Sequence, residues 1–265
     1  MLLNRLTATI DSWVAPGMSL SSEYKRQFEW RDWRKAFEAL PSLQGRTVLD
    51  LGCGVGDQAA EMVARGARVI GIDMNEELLR EARSRELPNA EFQVGDLRDL
   101  PDAAVPVDGV WCSFAAAYFP DLSAELAEWR KHLRAGGWIA LTEIDDLLGH
   151  EPLSARTRAR FEAYARDAFL AGRYDFHMGR KLRDHLQSAG FKVARVMTLE
   201  DQELSFNGPA RQDVVGAWRA RLERMKLLQE LCATEYDQVR EEFLGCLARP
   251  DHRSVAKVYC CIATR

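Results

Sequence analysis

Short apolar runs alternate along the chain with longer stretches in which apolar residues recur every three or four positions. The short runs have the length of buried strands, and the longer stretches have the period of amphipathic helices. The predicted strands are 48–51, 68–72, 91–94, 109–113, 138–144, 192–199 and 255–264. Because neighbouring parallel strands need crossover connections, this alternation predicts an α/β fold with a doubly wound, mostly parallel sheet.

The sequence also marks where helices begin and end. A helix is predicted over 57–65, and the next one opens at Asn75, whose side chain is well suited to an N-cap. A later helix, capped by Asp121, is expected to close at the glycine pair 136–137. These boundaries place each helix between two predicted strands.

Additional helical segments flank this core. Residues 1–44 are helix-like and aromatic, and we expect them to pack over the main domain, 45–265, as a lid. Within that domain, helical insertions are predicted at about 146–180 and 208–252. Both follow late strands, where they could form a lid over a ligand site.

Composition narrows the class of protein. The 265 residues are 47% hydrophobic and 29% charged, the mixture of an ordinary globular chain. The formal charge of −4 gives no overall positive field, so nucleic acid is disfavoured as a partner. No apolar run is long enough to span a membrane, and the charged N-terminus does not resemble a signal peptide. The six cysteines lack the spacing of a zinc site. We therefore expect a cytoplasmic protein without a bound metal.

A glycine-rich turn after the first strand carries the strongest chemical signal. The segment reads Val-Leu-Asp-Leu-Gly-Cys-Gly-Val-Gly over 48–56, and Asp73 follows 21 residues after Gly52. Glycines let the backbone turn tightly and approach a ligand closely. An acid at the end of the second strand can accept hydrogen bonds from ribose hydroxyls. The pattern therefore predicts a nucleoside cofactor at the carboxyl ends of the strands.

Spacing and charge distinguish between two cofactor types. A dinucleotide site uses G-x-G-x-x-G, but here the third glycine, Gly56, comes one residue early. Asp50 would also repel a pyrophosphate, whereas a carboxylate attracts an ammonium group at close range. S-adenosylmethionine carries that ammonium group and NAD does not, so the pattern favours S-adenosylmethionine.

Several segments in register resemble the class I S-adenosylmethionine-dependent methyltransferase family. They are Asp-Leu-Gly-Cys-Gly-Val-Gly at 50–56, Gly-Ile-Asp at 71–73, Gly-Asp-Leu at 95–97, Asp-Gly-Val-Trp-Cys-Ser at 108–113 and Leu-Arg-Ala-Gly-Gly at 133–137. The resemblance implies a Rossmann-like sheet of seven strands with the last one antiparallel. It also implies methyl transfer from S-adenosyl-L-methionine, with S-adenosyl-L-homocysteine as product.

The motif and the resemblance together predict the cofactor contacts. In the family, the acid corresponding to Asp96 faces the adenine amino group and the N–H corresponding to Leu97 reaches the ring. An N-terminal aromatic such as Tyr24 often contacts the cofactor in similar proteins. Cys53 is expected to pack as a small residue and not to act as a nucleophile. The predicted set is Tyr24, Asp50, Gly52, Cys53, Gly54, Gly56, Asp73, Met74, Asp96, Leu97 and Ser113.

Candidates for the acceptor side lie beyond the later strands. A base is needed if the acceptor is a hydroxyl or a protonated amine, and histidine suits neutral pH. His177 is the preferred base and His150 the second, although either could be a solvated or structural histidine. Tyr118, Phe119 and Trp30 are candidates to line the substrate pocket, with packing in the core as the alternative.

The leading hypothesis is a methyltransferase that modifies an O or N atom of a small molecule, as a monomer or homodimer. A methyltransferase for tRNA or protein side chains is the main alternative, and arginines of the insertions clustered beside the pocket would favour it. A nicotinamide-linked oxidoreductase is disfavoured by Asp50. A cofactor-binding protein without activity is the fourth possibility. The sequence does not identify the acceptor.

Overall fold

A computed structural model of the chain describes residues 20–100, 106–119 and 121–265. Seven strands form the main sheet in the order β3-β2-β1-β4-β5-β9-β7. The strands are β1 (Thr47–Leu51), β2 (Arg68–Asp73), β3 (Ala90–Val94), β4 (Val107–Ser113), β5 (Leu133–Asp145), β7 (Lys192–Leu199) and β9 (Lys257–Thr264), and a separate pair is formed by β6 (His150–Glu151) and β8 (Arg253–Ser254). Strand β9 is antiparallel to both β5 and β7, and the pairs from β3 to β5 are parallel. The predicted seven-stranded sheet with an antiparallel last strand is confirmed.

Helices cover both faces of the sheet. They are α1 (Leu20–Glu29), α2 (Trp33–Glu38), α3 (Asp57–Ala64), α4 (Glu76–Ser84), α5 (Ser123–His132), α6 (Ala155–Leu170), α7 (Met178–Ser188), α8 (Gln212–Arg224), α9 (Lys226–Cys232) and α10 (Tyr236–Leu247). The predicted cap of α4 is confirmed, because the Asn75 side chain accepts from the Glu77 and Leu78 N–H groups. None of the helices in the described ranges is both long and apolar enough to cross a membrane.

Alternation along the strands divides the core into two layers. In β1, Val48 packs in one cluster with Trp111 of β4, whereas Leu49 packs in the other. The first cluster lies under α2, α3 and the helices α8 to α10, and the second lies under α5 and α7. Successive side chains of a strand point to opposite faces, so both layers need apolar residues and the central strands read as continuous apolar runs.

The aromatic N-terminal segment contributes mainly to the first layer. Trp33 and Phe37 are buried, and the Phe37 ring stacks on Trp111 with centroids 4.8 Å apart. Core packing therefore accounts for both rings, and helix α2 is anchored to the sheet. The first 19 residues of the predicted 1–44 segment lie outside the described residues.

Two predicted boundaries differ from the structure. The helix expected to close at 136–137 ends at His132, and residues from Leu133 onward extend along Val107 as part of β5. The second helical insertion, predicted at about 208–252, is broken into three helices, with a positive φ of 47° at Ala233. Sequence periodicity did not mark these breaks, because apolar spacing continues across them.

Candidate active site

The glycine turn between β1 and α3 has the backbone shape that its sequence predicts. Gly52 and Gly54 have φ angles of 75° and 52°, a region that side chains other than glycine disfavour. A Cβ on Gly52 would lie 2.9 Å from the Ala115 Cβ, and one on Gly54 would lie 3.3 Å from the Tyr24 ring. Glycine is therefore required at both positions by conformation and by space.

Asp73 closes β2 beside this turn. Its Oδ2 accepts a hydrogen bond from the Gly54 N–H at 2.9 Å, and its Oδ1 accepts one from the Asn75 N–H at 2.9 Å. Burial raises the pKa of the carboxyl, and the backbone donors oppose that rise. A carboxylate has about four acceptor sites. Asp73 can therefore hold the turn and still accept from a ribose hydroxyl.

Two buried polar atoms that have no hydrogen-bond partner among the described residues lie at the ends of neighbouring strands. They are Oδ2 of Asp50 in β1 and Oγ of Ser113 at the end of β4. Asp50 is only 2% exposed, and burial together with nearby Asp73 raises its pKa to about 8. A buried carboxylate without a cation is costly. These atoms thus fit a ligand that brings an ammonium group and further polar atoms to this edge of the sheet.

Large side chains with exposed apolar surface surround the same edge. Tyr24 of α1 is 37% exposed, Met74 after β2 is 47% exposed and Val94 at the end of β3 is 54% exposed. Small-molecule sites combine such apolar walls with a few polar groups that fix orientation. The arrangement suits the flat ring and ribose of a nucleoside.

The segment predicted to contact adenine is partly engaged within the protein. Asp96 forms an ion pair with Arg98, with 2.9 Å between its Oδ1 and the Arg98 Nε. Hydrogen bonding to Arg98 lowers the pKa of Asp96. Leu97 is buried, and its carbonyl accepts from the Trp129 Nε1 at 2.8 Å. The Leu97 side chain lies within 3.9 Å of the Cβ position at Gly52, so this segment borders the glycine turn.

The loop after β4 forms a second wall. Tyr118 is 44% exposed, and its ring packs edge-on against Tyr174 with centroids 5.0 Å apart. Enclosure by the surrounding chain raises the pKa of Tyr118 to about 12, and nearby Glu143 adds to the rise. Phe119 instead turns toward the core and packs against Trp129. Of the two aromatic residues predicted here, Tyr118 is the more exposed one.

A buried acid holds the backbone of the loop after β4 in place. Glu143 of β5 is fully buried, and its Oε1 accepts from the Ala117 N–H at 2.9 Å. The Ala117 carbonyl accepts in turn from the Asp175 N–H at 2.8 Å. Burial raises the pKa of Glu143 to about 8. The Glu143 carboxylate and the backbone N–H of Asp175 thus hold Ala117 between them, and Tyr118 and Tyr174 are the residues next to Ala117 and Asp175.

The predicted base His177 lies at the start of α7. The backbone N–H of His177 donates to the Asp175 Oδ1 at 2.9 Å, and the ring Nδ1 of His177 lies 3.6 Å from the Asp145 Oδ1. The side chain is 40% exposed. Asp145 also forms an ion pair with Arg180 at 2.6 Å. His177 is thus accessible, has the Asp145 carboxylate beside its ring, and lies three residues beyond Tyr174 in the chain.

His150 has a different environment. It is 1% exposed and is surrounded by the rings of Phe206, Trp218 and Phe243. Its Nδ1 lies 3.0 Å from the His252 Nε2, and burial lowers the pKa of His150 to about 3. The structure does not bring it together with His177 or the tyrosine wall, and its burial favours a structural role.

Two other predicted residues have clear packing environments. Trp30 lies between the guanidinium groups of Arg26 and Arg211, which are 5.1 and 5.5 Å from the ring centroid. Cys53 is buried, and burial raises the pKa of its thiol. Within the described ranges, no three His, Cys, Asp or Glu side chains converge to hold a metal ion.

Sequence reasoning missed Glu143 and Arg221. Glu143 interrupts an apolar strand, and an isolated acid in a buried strand is a signal that could have been recognised. Arg221 lies in α8 among many other charged residues, so nothing in the sequence distinguishes it. The structure buries it, and it lies close enough to lower the pKa of Tyr118 and Tyr174 against the larger effect of burial.

Comparison with known proteins finds similarity to methyltransferases. Residues 48–137 match the family model described as "Methyltransferase domain". Nocamycin O-methyltransferase of Saccharothrix syringae is 30% identical over 209 residues, which cover 69% of this chain and 71% of that protein. Trans-aconitate 2-methyltransferase of Azoarcus sp. (strain BH72) is 40% identical over 110 residues, but the match spans only 43% of that protein and 41% of this chain.

A solved structure supports the fold over a longer range. The S-adenosylmethionine-dependent methyltransferase from Mesorhizobium loti superposes with a TM-score of 0.54 at 20% identity. The alignment covers 88% of this chain and 97% of that one. At this identity the likeness concerns the fold alone.

Proposed function

Because the chain belongs to the class I S-adenosylmethionine-dependent methyltransferase family, we propose that it methylates an O or N atom of a small molecule. The cofactor of this family is S-adenosyl-L-methionine, and the enzyme class is that of the methyltransferases. The acceptor side of the site, its base and its substrate class are the parts that we propose here.

The cofactor assignment rests on one observation. Asp50 and Asp73, two acids on neighbouring strands, lie close to each other beside the glycine turn. Asp73 would accept from the ribose, and Asp50 would face the ammonium group, which removes the cost of a buried carboxylate without a partner. Ser113 offers a further polar contact at the neighbouring strand end. Tyr24 and Met74 would cover the apolar faces of the nucleoside.

Bound S-adenosylmethionine supplies a methyl group activated by the positive charge of its sulfonium sulfur. The protein's task is to align an acceptor atom with that methyl group and to exclude water. Tyr118 and Tyr174 would bind the acceptor, because their rings meet beside the loop that borders the glycine turn. Glu143 and Asp175 would keep this wall in place through Ala117.

His177 is the proposed general base for a hydroxyl or protonated amine acceptor. Its exposure gives an acceptor access to the ring, and Asp145 can orient the ring and stabilise its protonated form. His150 is less suited to this role, because a histidine 1% exposed among aromatic rings cannot reach an acceptor without unpacking them.

The arginines of the first helical insertion are relevant to the alternative hypothesis, in which the acceptor is tRNA or a protein side chain. Arg156 and Arg160 of α6 both form ion pairs with Glu235, at 2.7 and 2.9 Å. Glu235 offsets one of these two positive charges, so this part of α6 offers less net positive charge to a polyphosphate. This pairing and the overall charge of −4 support a small acceptor over tRNA.

A labelled-methyl screen tests the proposal. The protein is incubated with methyl-labelled S-adenosylmethionine and fractionated metabolite extract, with bulk tRNA and unfolded protein as separate acceptors. We expect label in a small-molecule fraction and none with Asp73→Ala. Label recovered only in tRNA or protein would overturn the small-molecule proposal, and no label in any fraction would count against methyl transfer.

A further inference from the structure

We propose that Glu23 is a positioning residue that holds Tyr24 over the glycine turn, and that Arg221 and Arg224 of α8 hold Glu23 in place. This inference rests on the proposed cofactor site. It connects the N-terminal helix α1, which carries Tyr24, to the second helical insertion, which carries α8. Retention of the cofactor would then depend on an ion-pair cluster outside the cofactor site itself.

The carboxyl-terminal end of α1 is fixed independently of Glu23. The Asp32 N–H donates to the Glu200 carbonyl at 2.9 Å, and the Gln202 N–H donates to the Trp30 carbonyl at 3.0 Å. Arg31 and Asp201 form a buried ion pair at 2.6 Å. Backbone pairing and a buried charge pair thus anchor residues 30–32, so α1 can pivot there without detaching.

The amino-terminal half of α1 depends on the cluster around Glu23. The Arg224 Nη2 donates to both carboxylate oxygens of Glu23, at 2.7 and 2.6 Å. Arg221 lies 4.0 Å from Glu23 and pairs with Glu203 at 2.7 Å. All four side chains are at most 8% exposed. Gln27, one helical turn on, donates to the same carboxylate at 3.2 Å.

A second connection from this half of α1 is weaker. Lys25 pairs with Glu81 of α4, but the two side chains are 48% and 28% exposed. Solvent-exposed ion pairs contribute little to stability, whereas loss of one partner of a buried pair leaves an uncompensated charge. Of these two ionic contacts, the Glu23 pair is therefore the one that can fix the helix.

Tyr24 transmits the position of Glu23 to the cofactor site. It is the next residue in α1, and its ring lies 3.3 Å from the Cβ position at Gly54. Asp73, which would contact the ribose, is also near enough to Tyr24 to contribute to its raised pKa, after burial and Tyr118. Movement of the amino-terminal half of α1 would withdraw this ring from the glycine turn and open a path for release.

The test is the dissociation rate of S-adenosylhomocysteine, measured by surface plasmon resonance for the full chain. Glu23→Gln should speed dissociation about tenfold, equivalent to about 1.4 kcal/mol. Tyr24→Ala should have a similar effect. Because Glu23 acts through Tyr24, adding Glu23→Gln to Tyr24→Ala should change the rate less than twofold. The matched control is Glu29→Gln, the same change on an exposed position of the same helix.

Two outcomes would overturn the proposal. One is an unchanged dissociation rate for Glu23→Gln, and the other is an equal acceleration by Glu23→Gln in the Tyr24→Ala background, which would indicate a general loss of structure. If the Glu23→Gln variant does not fold, Arg224→Lys is measured in its place. Arg224→Lys should speed dissociation about threefold, and its effect is again compared in the wild-type and the Tyr24→Ala backgrounds. If the wild-type chain does not bind S-adenosylhomocysteine at all, the proposed cofactor site is itself overturned. That result differs from both outcomes above, so failure of the cofactor site and failure of the Glu23 proposal can be told apart.

Discussion

Replacing Asp50 by Asn should stabilise the cofactor-free protein and weaken cofactor binding. Burial raises the pKa of Asp50 from 3.8 to about 8, so the unfolded chain ionises at a pH where the folded chain remains protonated. The contribution of Asp50 to stability is therefore full below about pH 4 and is lost as the pH rises toward 8. At pH 7 the difference amounts to about 4 kcal/mol, since each pKa unit corresponds to about 1.4 kcal/mol.

Asparagine removes the ionisation but leaves a buried polar group. We therefore expect Asp50→Asn to recover about half of that free energy, roughly 2 kcal/mol, at pH 7. For a chain of this size the melting temperature should rise by roughly 5 °C. The gain should disappear at about pH 3, below the unfolded pKa of 3.8, where Asp50 of the wild type is protonated in both the folded and the unfolded state. Thermal unfolding at both pH values measures this dependence.

Binding should respond in the opposite direction. The ammonium group of the cofactor would face an ionised Asp50, so binding at pH 7 should release a proton from this carboxyl, whose pKa is raised by burial. Calorimetry of S-adenosylhomocysteine in buffers of different ionisation enthalpy measures that release. Asp50→Asn should abolish it and weaken affinity about 100-fold, within the range for truncating a buried charge pair. The control is Asp184→Asn, on the exposed side of α7. Unchanged affinity without proton release in the wild type would refute the reasoning.

Three further substitutions test other parts of the site. Asp73→Ala should abolish binding of S-adenosylhomocysteine in calorimetry, because it removes both the ribose acceptor and the Gly54 contact; retained affinity would contradict the assignment. His177→Ala should lower kcat about 100-fold with the acceptor found in the screen while cofactor affinity stays within twofold, and unchanged turnover would remove it as the base. Glu143→Leu and Glu143→Gln both remove the ionisation of this buried acid, but only Gln keeps an acceptor for the Ala117 N–H, so in urea unfolding at pH 7 the Leu variant should be less stable than the Gln variant by about 2 kcal/mol; equal stability of the two variants would argue against this hydrogen bond.

The proposed cofactor half of the site could be predicted because its residues are close together in the sequence. Asp50, Gly52 and Gly54 are close in sequence, and the positive φ angles at the two glycines follow from the need to turn sharply out of β1. Asp73 belongs to the next strand, and parallel neighbours bring their carboxyl ends to one edge. The five inner strands of the sheet were predictable for a similar reason, since a strand buried on both faces must be apolar throughout.

The acceptor side could not be predicted because it is assembled from distant segments. Glu143, Ala117 and Asp175 meet only when β5, the loop after β4 and the start of α7 are packed together. His150 and His177 both follow β5 in the sequence, but packing buries one among aromatic rings and leaves the other partly exposed.

The sequence by itself determined the sheet, the glycine turn and the two acids beside it, because backbone conformation and strand burial are set by residues near one another in the chain. Only the tertiary structure decided which histidine is accessible, which acids are left without a cation and that Glu23 meets Arg224, 201 residues away. Solvation and charge pairing depend on everything packed around a side chain, and that environment comes from segments whose spacing in the sequence carries no mark of their contact.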